Sequence, residues 1–174
     1  MMRRLLAVLA LVAGAVLVLL NAGGATQWRD GLLPQSPAPS PRVLVVQDVL
    51  DGDTFTAADL AGAPVGRVRL VGVDAPELAE DDCWAQDAAA GLGVLIDSGA
   101  RVELTVDPGQ GETDRYGRLL GYVRTSGSDG QDVGLQLLDR GHARPWGQHP
   151  RSVEYQEAAD EAQDRGAGLW GGCR

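Results

Sequence analysis

Three short charged clusters stand far apart in this chain: Asp51-Gly52-Asp53-Thr54, the segment from Arg69 to Glu77 (Arg-Leu-Val-Gly-Val-Asp-Ala-Pro-Glu), and Asp114-Arg115-Tyr116-Gly117-Arg118. Brought to one place, they offer carboxylate oxygens for a hard divalent cation and a further carboxylate to take a proton from water. They also bring two guanidinium groups to meet the charge that builds on a phosphoryl group under attack. That combination suits hydrolysis of a phosphodiester. Each cluster alone has a plainer alternative. Asp51-Gly52-Asp53 reads as a hairpin turn, Glu77 as one more exposed acid ahead of Glu80, Asp81 and Asp82, and Arg118 as a salt-bridge partner of Asp114 or Glu112. Chemistry is favoured by Asp74-Ala75-Pro76-Glu77, a proline-stiffened turn that aims two carboxylates from one loop. Arg69 adds a second argument: on a strand it falls among apolar residues, and a buried arginine needs an anionic partner that the adjacent sequence lacks.

The elements that must position these residues follow from periodicity and turn signals. Val43 to Val49 and Asp53 to Ala57 read as two strands around a turn, and Arg67 to Val73 as a third, with Arg69, Val71 and Val73 on one face. Cys83 to Ser98 has a helical stripe of Trp84, Ala88, Leu92 and Leu95 or Ile96. Arg101 to Val106 and Arg118 to Thr125 alternate like strands around a polar loop from Asp107 to Thr113. A short helix is expected from Val133 to Arg140, closed by Gly141, and a last one from Ser152 to Arg165, N-capped at Ser152 and closed by Gly166. Five strands with helices after the third and fifth suggest an α+β domain dominated by β: a small closed barrel decorated by helices. His142 and His149 read as surface or loop residues.

The 174 residues allow one ordinary domain. Arg3 and Arg4 precede an uncharged apolar run from Leu5 to Leu20, the pattern of an export segment. Gly23-Gly24-Ala25 offers a cleavage site before Thr26, whereas Trp28 suits a membrane interface, so both a cleaved signal peptide and a retained anchor helix stay open. The expected organisation is a signal or anchor over residues 1–25, a proline-rich linker over 26–41 and a folded domain over 42–174. The domain is then secreted, or tethered to the outer face of the cytoplasmic membrane. In that compartment the two cysteines, Cys83 and Cys173, invite a disulfide, the alternative being two separate thiols. The net charge is −9 and every basic residue is an arginine. That acidity opposes long-range attraction of a polyanion, so any nucleic-acid site must be made locally, by a bound cation and a few arginines.

The Asp-Gly-Asp-Thr turn, the Arg-Leu-x-Gly-x-Asp-x-Pro-Glu segment, the Asp-x-Tyr-Gly-Arg segment and a closing Gly168-Leu169-Trp170 occur in an order that resembles the staphylococcal (micrococcal) nuclease family. The resemblance runs from about Val43 to Trp170. It implies a five-stranded OB-fold barrel with three helices and a calcium-dependent nuclease that accepts DNA and RNA, single- or double-stranded, with slight sequence preference. It implies Asp53 and Asp74 as Ca²⁺ ligands together with the backbone carbonyl of Ala75, where the family usually has threonine. Glu77 matches the candidate general base, and Arg69 and Arg118 the two catalytic arginines. Tyr116 matches a phosphate-contacting tyrosine, Arg115 stands where lysine is frequent, and Trp146 substitutes for an aromatic stacked on a base. A monomer is expected. Two rival readings remain for the same pattern, a non-catalytic nucleic-acid-binding OB module and a calcium-binding structural domain.

Overall fold

A computed structural model describes residues 40–173. The expected signal or anchor segment and nearly all of the linker lie outside the described residues. Among the described residues no helix is long and apolar enough to cross a membrane.

The chain forms strands β1 (Arg42–Val49), β2 (Thr54–Ala58), β3 (Pro64–Leu70), β4 (Val73–Asp74), β5 (Arg101–Thr105), β6 (Leu119–Thr125) and β7 (Arg144–Pro145). Five of them close a barrel in the order β1-β2-β3-β6-β5, as an OB fold requires. Neighbours are antiparallel except for β3 and β6, which run parallel where the barrel closes. Parallel partners need a long crossover, and here the chain from Val71 to Arg118 supplies it. Alternation puts Leu44 and Val46 of β1, Phe55 and Ala57 of β2, Val68 and Leu70 of β3, Val102 and Leu104 of β5, and Val123 of β6 inside. Burying each large side chain stabilises by roughly 1.5 to 3 kcal/mol.

The third strand ends earlier than its sequence predicts. Val71 and Gly72 turn the chain, Gly72 at φ +84°, so Arg69, Val71 and Val73 do not share one strand face. A side chain at Gly72 would also meet the His149 ring and Tyr155. Val73 and Asp74 then pair with Pro145 and Arg144 in a two-stranded ladder outside the barrel.

Helix α1 (Ala85–Leu95) is shorter than the expected Cys83–Ser98 span, because Trp84 holds a left-handed φ of 75° and Ile96 leaves helical geometry at φ −138°. Its buried face is Ala85, Ala88, Gly91 and Leu92. Helix α2 (Val133–Asp139) starts at Asp132, whose carboxylate accepts the Leu135 N–H at 2.7 Å. Helix α3 (Ser152–Asp164) buries Tyr155, Ala159 and Ala162. Its N-cap is Arg151 rather than the expected Ser152, whose hydroxyl instead donates to the His149 carbonyl at 2.7 Å. A four-residue turn, α4 (Leu169–Gly172), adds to the three helices expected.

Cys83 and Cys173 form a disulfide with Cα atoms 5.8 Å apart across a separation of 90 residues, which ties α4 to the loop before α1. Near it, Trp84 packs against the core, and its indole N–H donates to His142 Nδ1 at 3.3 Å. Neither histidine is a free surface group. His142 lies against Gly91, where any added side chain would strike its ring, and His149 lies against Gly72. Burial lowers the pKa of His142, helped by Arg140, and burial lowers that of His149, helped by Arg151 against Asp107.

Replacing both cysteines with serine removes the constraint on the unfolded chain. We expect a loss of about 2 to 5 kcal/mol, read as a lower urea midpoint for the variant relative to the oxidised protein. The histidines set a pH window. With folded pKa values below the unfolded value of about 6.5, they stay neutral in the fold while the unfolded chain takes up protons, so stability falls as pH drops below about 6.5. Melting temperatures at pH 7 and pH 5 should therefore differ less for His142→Gln than for the parent chain.

Candidate active site

Asp51, Gly52 and Asp53 form the bend between β1 and β2, and the Asp51 carboxylate accepts the Asp53 N–H at 3.0 Å to set it. Gly52 is needed for close approach. A Cβ there would sit 2.6 Å from the Ala75 Cβ and 2.7 Å from the Ala88 Cβ. The bend thus lies directly under the Asp74–Glu77 turn and α1. Asp53 is 1% exposed, and one carboxylate oxygen accepts the Thr54 hydroxyl at 3.0 Å while the other accepts the Ala75 N–H at 2.9 Å. The first and second sequence clusters are therefore joined backbone to side chain.

Arg69 fastens them further. Thr54 and Arg69 are register partners across β2 and β3, which carries the arginine to the aspartate beside Thr54. Its guanidinium reaches Asp53 Oδ2 at 2.7 Å and Asp74 Oδ1 at 2.9 Å, and donates to the carbonyls of Val73 at 2.7 Å and Leu70 at 3.1 Å. This is the anionic partner absent from the adjacent sequence, and it comes from two places at once. Burial raises the Asp53 pKa to about 7; Arg69 and the Ala75 N–H oppose the rise, and Asp51 adds to it. The Asp74 side chain is 47% exposed, so solvent reaches the pair from that side.

The parallel pairing of β3 with β6 places Leu119 beside Val68, and so sets Arg118, the residue before it, near Arg69. Arg118 Nε donates to Asp114 Oδ2 at 2.7 Å, while Asp114 Oδ1 accepts the N–H groups of Tyr116 and Arg118. The plain ion-pair alternative for Arg118 is thus real. It uses Nε, and neither terminal nitrogen is paired among the described residues. Arg69, Arg118, Asp114 and Trp146 line one cleft of about 230 Å³. Trp146 is 65% exposed and anchored by its N–H to the Gly72 carbonyl at 2.9 Å. Tyr116 is equally exposed, at 67%, with Arg115 stacked over its ring at 4.7 Å and Arg118 at 5.5 Å.

Glu77 lines a second cleft together with Asp74, one that neither Arg69 nor Arg118 lines. Its N–H donates to Asp82 Oδ2 at 3.1 Å, and its own carboxylate has no hydrogen-bond partner among the described residues. Burial raises its pKa. Asp51 and Asp74 push it further, while Arg69 and Arg118 pull against them, so the carboxylate sits in the field of both arginines.

The side-chain donors of Asp53 and Asp74 are all oxygens, which suits a hard ion. Among the described residues no three His, Cys, Asp or Glu side chains converge. A hard cation held here would take the Asp53 and Asp74 carboxylates and a backbone carbonyl, with water completing its shell, and the oxygen donors fit such an ion.

Residues with no sequence motif support this arrangement. His149 Nδ1 lies 3.0 Å from the Tyr122 hydroxyl, which also donates to Asp107 at 3.2 Å. Tyr155 donates to Asp132 at 2.8 Å, and Arg151 pairs with Asp132 as well. Gln110 donates to the Gln148 carbonyl at 2.8 Å, tying the glycine-rich loop to the loop that carries Trp146. An aspartate just before the helix at Val133 is the one sequence signal that could have pointed to this network, through its N-cap role.

A family model described as staphylococcal nuclease homologue matches residues 67–172. The chain belongs to that family. Among curated relatives of this staphylococcal nuclease homologue, a protein of Escherichia coli named "Uncharacterized endonuclease" is 34% identical over 123 residues, covering 70% of this chain and 72% of the relative. A Haemophilus influenzae protein of the same printed name is 29% identical over 125 residues, covering 72% of this chain and 64% of the relative. Endonuclease YhcR of Bacillus subtilis is 31% identical over 159 residues, covering 80% of this chain but 12% of that much longer protein.

If Arg69 neutralises a buried carboxylate, Arg69→Met should cost about 3 to 5 kcal/mol of unfolding free energy in metal-free buffer. Urea denaturation measures it. A loss below about 1 kcal/mol, the range of exposed pairs, would mean that Asp53 does not depend on its cation.

Proposed function

We propose that this staphylococcal nuclease homologue is an exported, calcium-dependent nuclease that hydrolyses phosphodiester bonds in DNA and RNA with little sequence preference. The reading rests above all on one observation. Arg69 bridges Asp53 and Asp74 and shares a cleft with Arg118, while the unpartnered Glu77 carboxylate feels both guanidinium groups. Family membership and relatives named endonucleases support it.

In this reading Glu77 takes a proton from water, the water oxygen attacks phosphorus in line, and the sugar 5′-oxygen departs to leave a 3′-phosphate end. The terminal N–H groups of Arg118, unpaired among the described residues, and the N–H groups of Arg69 not engaged by Asp53, Asp74 and the two carbonyls meet the charge that grows on the phosphoryl oxygens, each donor lowering the barrier by about 3 to 4 kcal/mol. Asp53, Asp74 and the Ala75 carbonyl hold the cation. When bound, calcium supplies Lewis-acid stabilisation of the same charge. Trp146 lines the cleft with its ring exposed to stack on a base, and Tyr116 and Arg115, packed together beside Arg118, contact the strand. The chain acts as a monomer outside the cytoplasm, delivered by its N-terminal segment and either released or held by it. A pure binding module has no use for a water-activating carboxylate beside a cation, which favours the enzyme over that rival.

Cleavage of denatured DNA tests the assignment. With calcium present, Glu77→Gln should be slower by about 10² to 10⁴, and a chelator should abolish the activity of the parent protein. Undiminished cleavage by Glu77→Gln removes Glu77 as the base. A parent protein that binds oligonucleotides yet never cleaves them with calcium is a binding module.

A further inference from the structure

The cleft that holds Glu77 is the larger of the two, about 410 Å³, and it is walled by Asp74, Glu77, Glu80, Asp82 and the disulfide. Arg118 is not among its lining residues, so a polyanion that follows this cleft past Glu77 meets an acidic wall. Arg144 is the one cation among its lining residues.

Two contacts fix Arg144 there. It is the register partner of Asp74 across β4 and β7, so its backbone is held beside the aspartate that Arg69 bridges. Its guanidinium carbon lies 5.0 Å from the centre of the Trp170 ring. Trp170 belongs to α4, which the Cys83–Cys173 disulfide closes down three residues later. Despite four carboxylates in the same cleft, Arg144 forms no ion pair with any of them; Asp74 is taken by Arg69. The indole contact holds the guanidinium through its charge, and among the described residues the guanidinium N–H groups have no acceptor. Those are the groups that grip a phosphate in pairs.

We infer that Arg144 is a substrate-positioning residue that holds the phosphate next to the scissile one, in the cleft that Glu77 lines and Arg118 does not. The inference rests on the nuclease reading and adds to it a second phosphate subsite. In a chain of net charge −9 the subsite has a definite purpose. It gives the strand a cationic hold where the acidic wall would repel it, so that Glu77 can lie close to the path of a polyanion. Trp170 is a positioning residue one step further out, since it orients Arg144 without touching the strand.

The test is steady-state cleavage with calcium by the disulfide-intact parent protein, Arg144→Ala and Arg144→Lys. The substrates are a single-stranded oligodeoxynucleotide, across a salt series, and a dinucleotide with one diester and no neighbouring phosphate. On the oligonucleotide, Arg144→Ala should raise KM about tenfold with kcat little changed, and flatten the log–log salt dependence by about 0.7. Arg144→Lys should recover a large part of the KM. On the dinucleotide the penalty of Arg144→Ala should disappear, which a merely structural role would not produce. An unchanged KM and salt slope on the oligonucleotide, or an equal penalty on both substrates, overturns the subsite while leaving the nuclease reading in place. A parent protein that cleaves neither substrate overturns the nuclease reading, and the subsite falls with it.

Discussion

One guanidinium group holds this site together. Arg69 reaches a buried aspartate from the β1–β2 bend, a half-exposed aspartate from β4, and two carbonyls of the chain turning between β3 and β4. Its planar fork can donate to several acceptors at once, which an ammonium group cannot do with the same geometry. Without that cation, Asp53 would be a carboxylate at 1% exposure facing an apolar core, a costly arrangement. The same bridge pins the β4 segment, and through it Ala75, Pro76 and Glu77. Folding and the candidate chemistry thus depend on one set of contacts, and the spacing of the carboxylates follows from the reach of the arginine.

The acidity of the chain constrains how such a site can operate. With −9 overall, no long-range field gathers a polyanion. Attraction has to be local, through the arginines of the candidate site: Arg69 and Arg118 in one cleft, Arg115 against Tyr116, Arg144 against Trp170. Two of these cations are steadied by aromatic rings rather than by acids. An aromatic partner orients a guanidinium without cancelling its charge, so the group remains available to a phosphate. The rigid frame behind them includes the disulfide, the closed barrel and the Tyr122–His149 and Tyr155–Asp132 bonds.

Much of this was legible in the chain, and the exceptions have physical causes. The barrel strands announced themselves through alternation, and the order of the three clusters pointed to their meeting. Gly72 was written into the strand that it ends, because a single glycine within an apolar run gives no sign that its φ must be positive. Trp84 matched the helical stripe of α1, yet its backbone is left-handed and its indole serves His142 instead. The β4–β7 ladder is too short for any periodicity and is set by tertiary contact, including the bond from Trp146 to Gly72. Lone histidines carry no pattern either, so their packing against Gly72 and Gly91 emerges only in three dimensions. For the site, the residue types singled out the carboxylates and arginines, of which the fold joins Asp53, Asp74 and Arg69. That one arginine would join both aspartates depends on a strand register, which the sequence does not print.

The central claim is that the fork of Arg69, rather than its charge alone, organises the site. Arg69→Lys keeps the charge and loses the fork, so its rate of denatured-DNA cleavage with calcium present tests the claim most directly. The account predicts a rate lower by at least about 10² than that of the parent chain. Cleavage at the parental rate would contradict it.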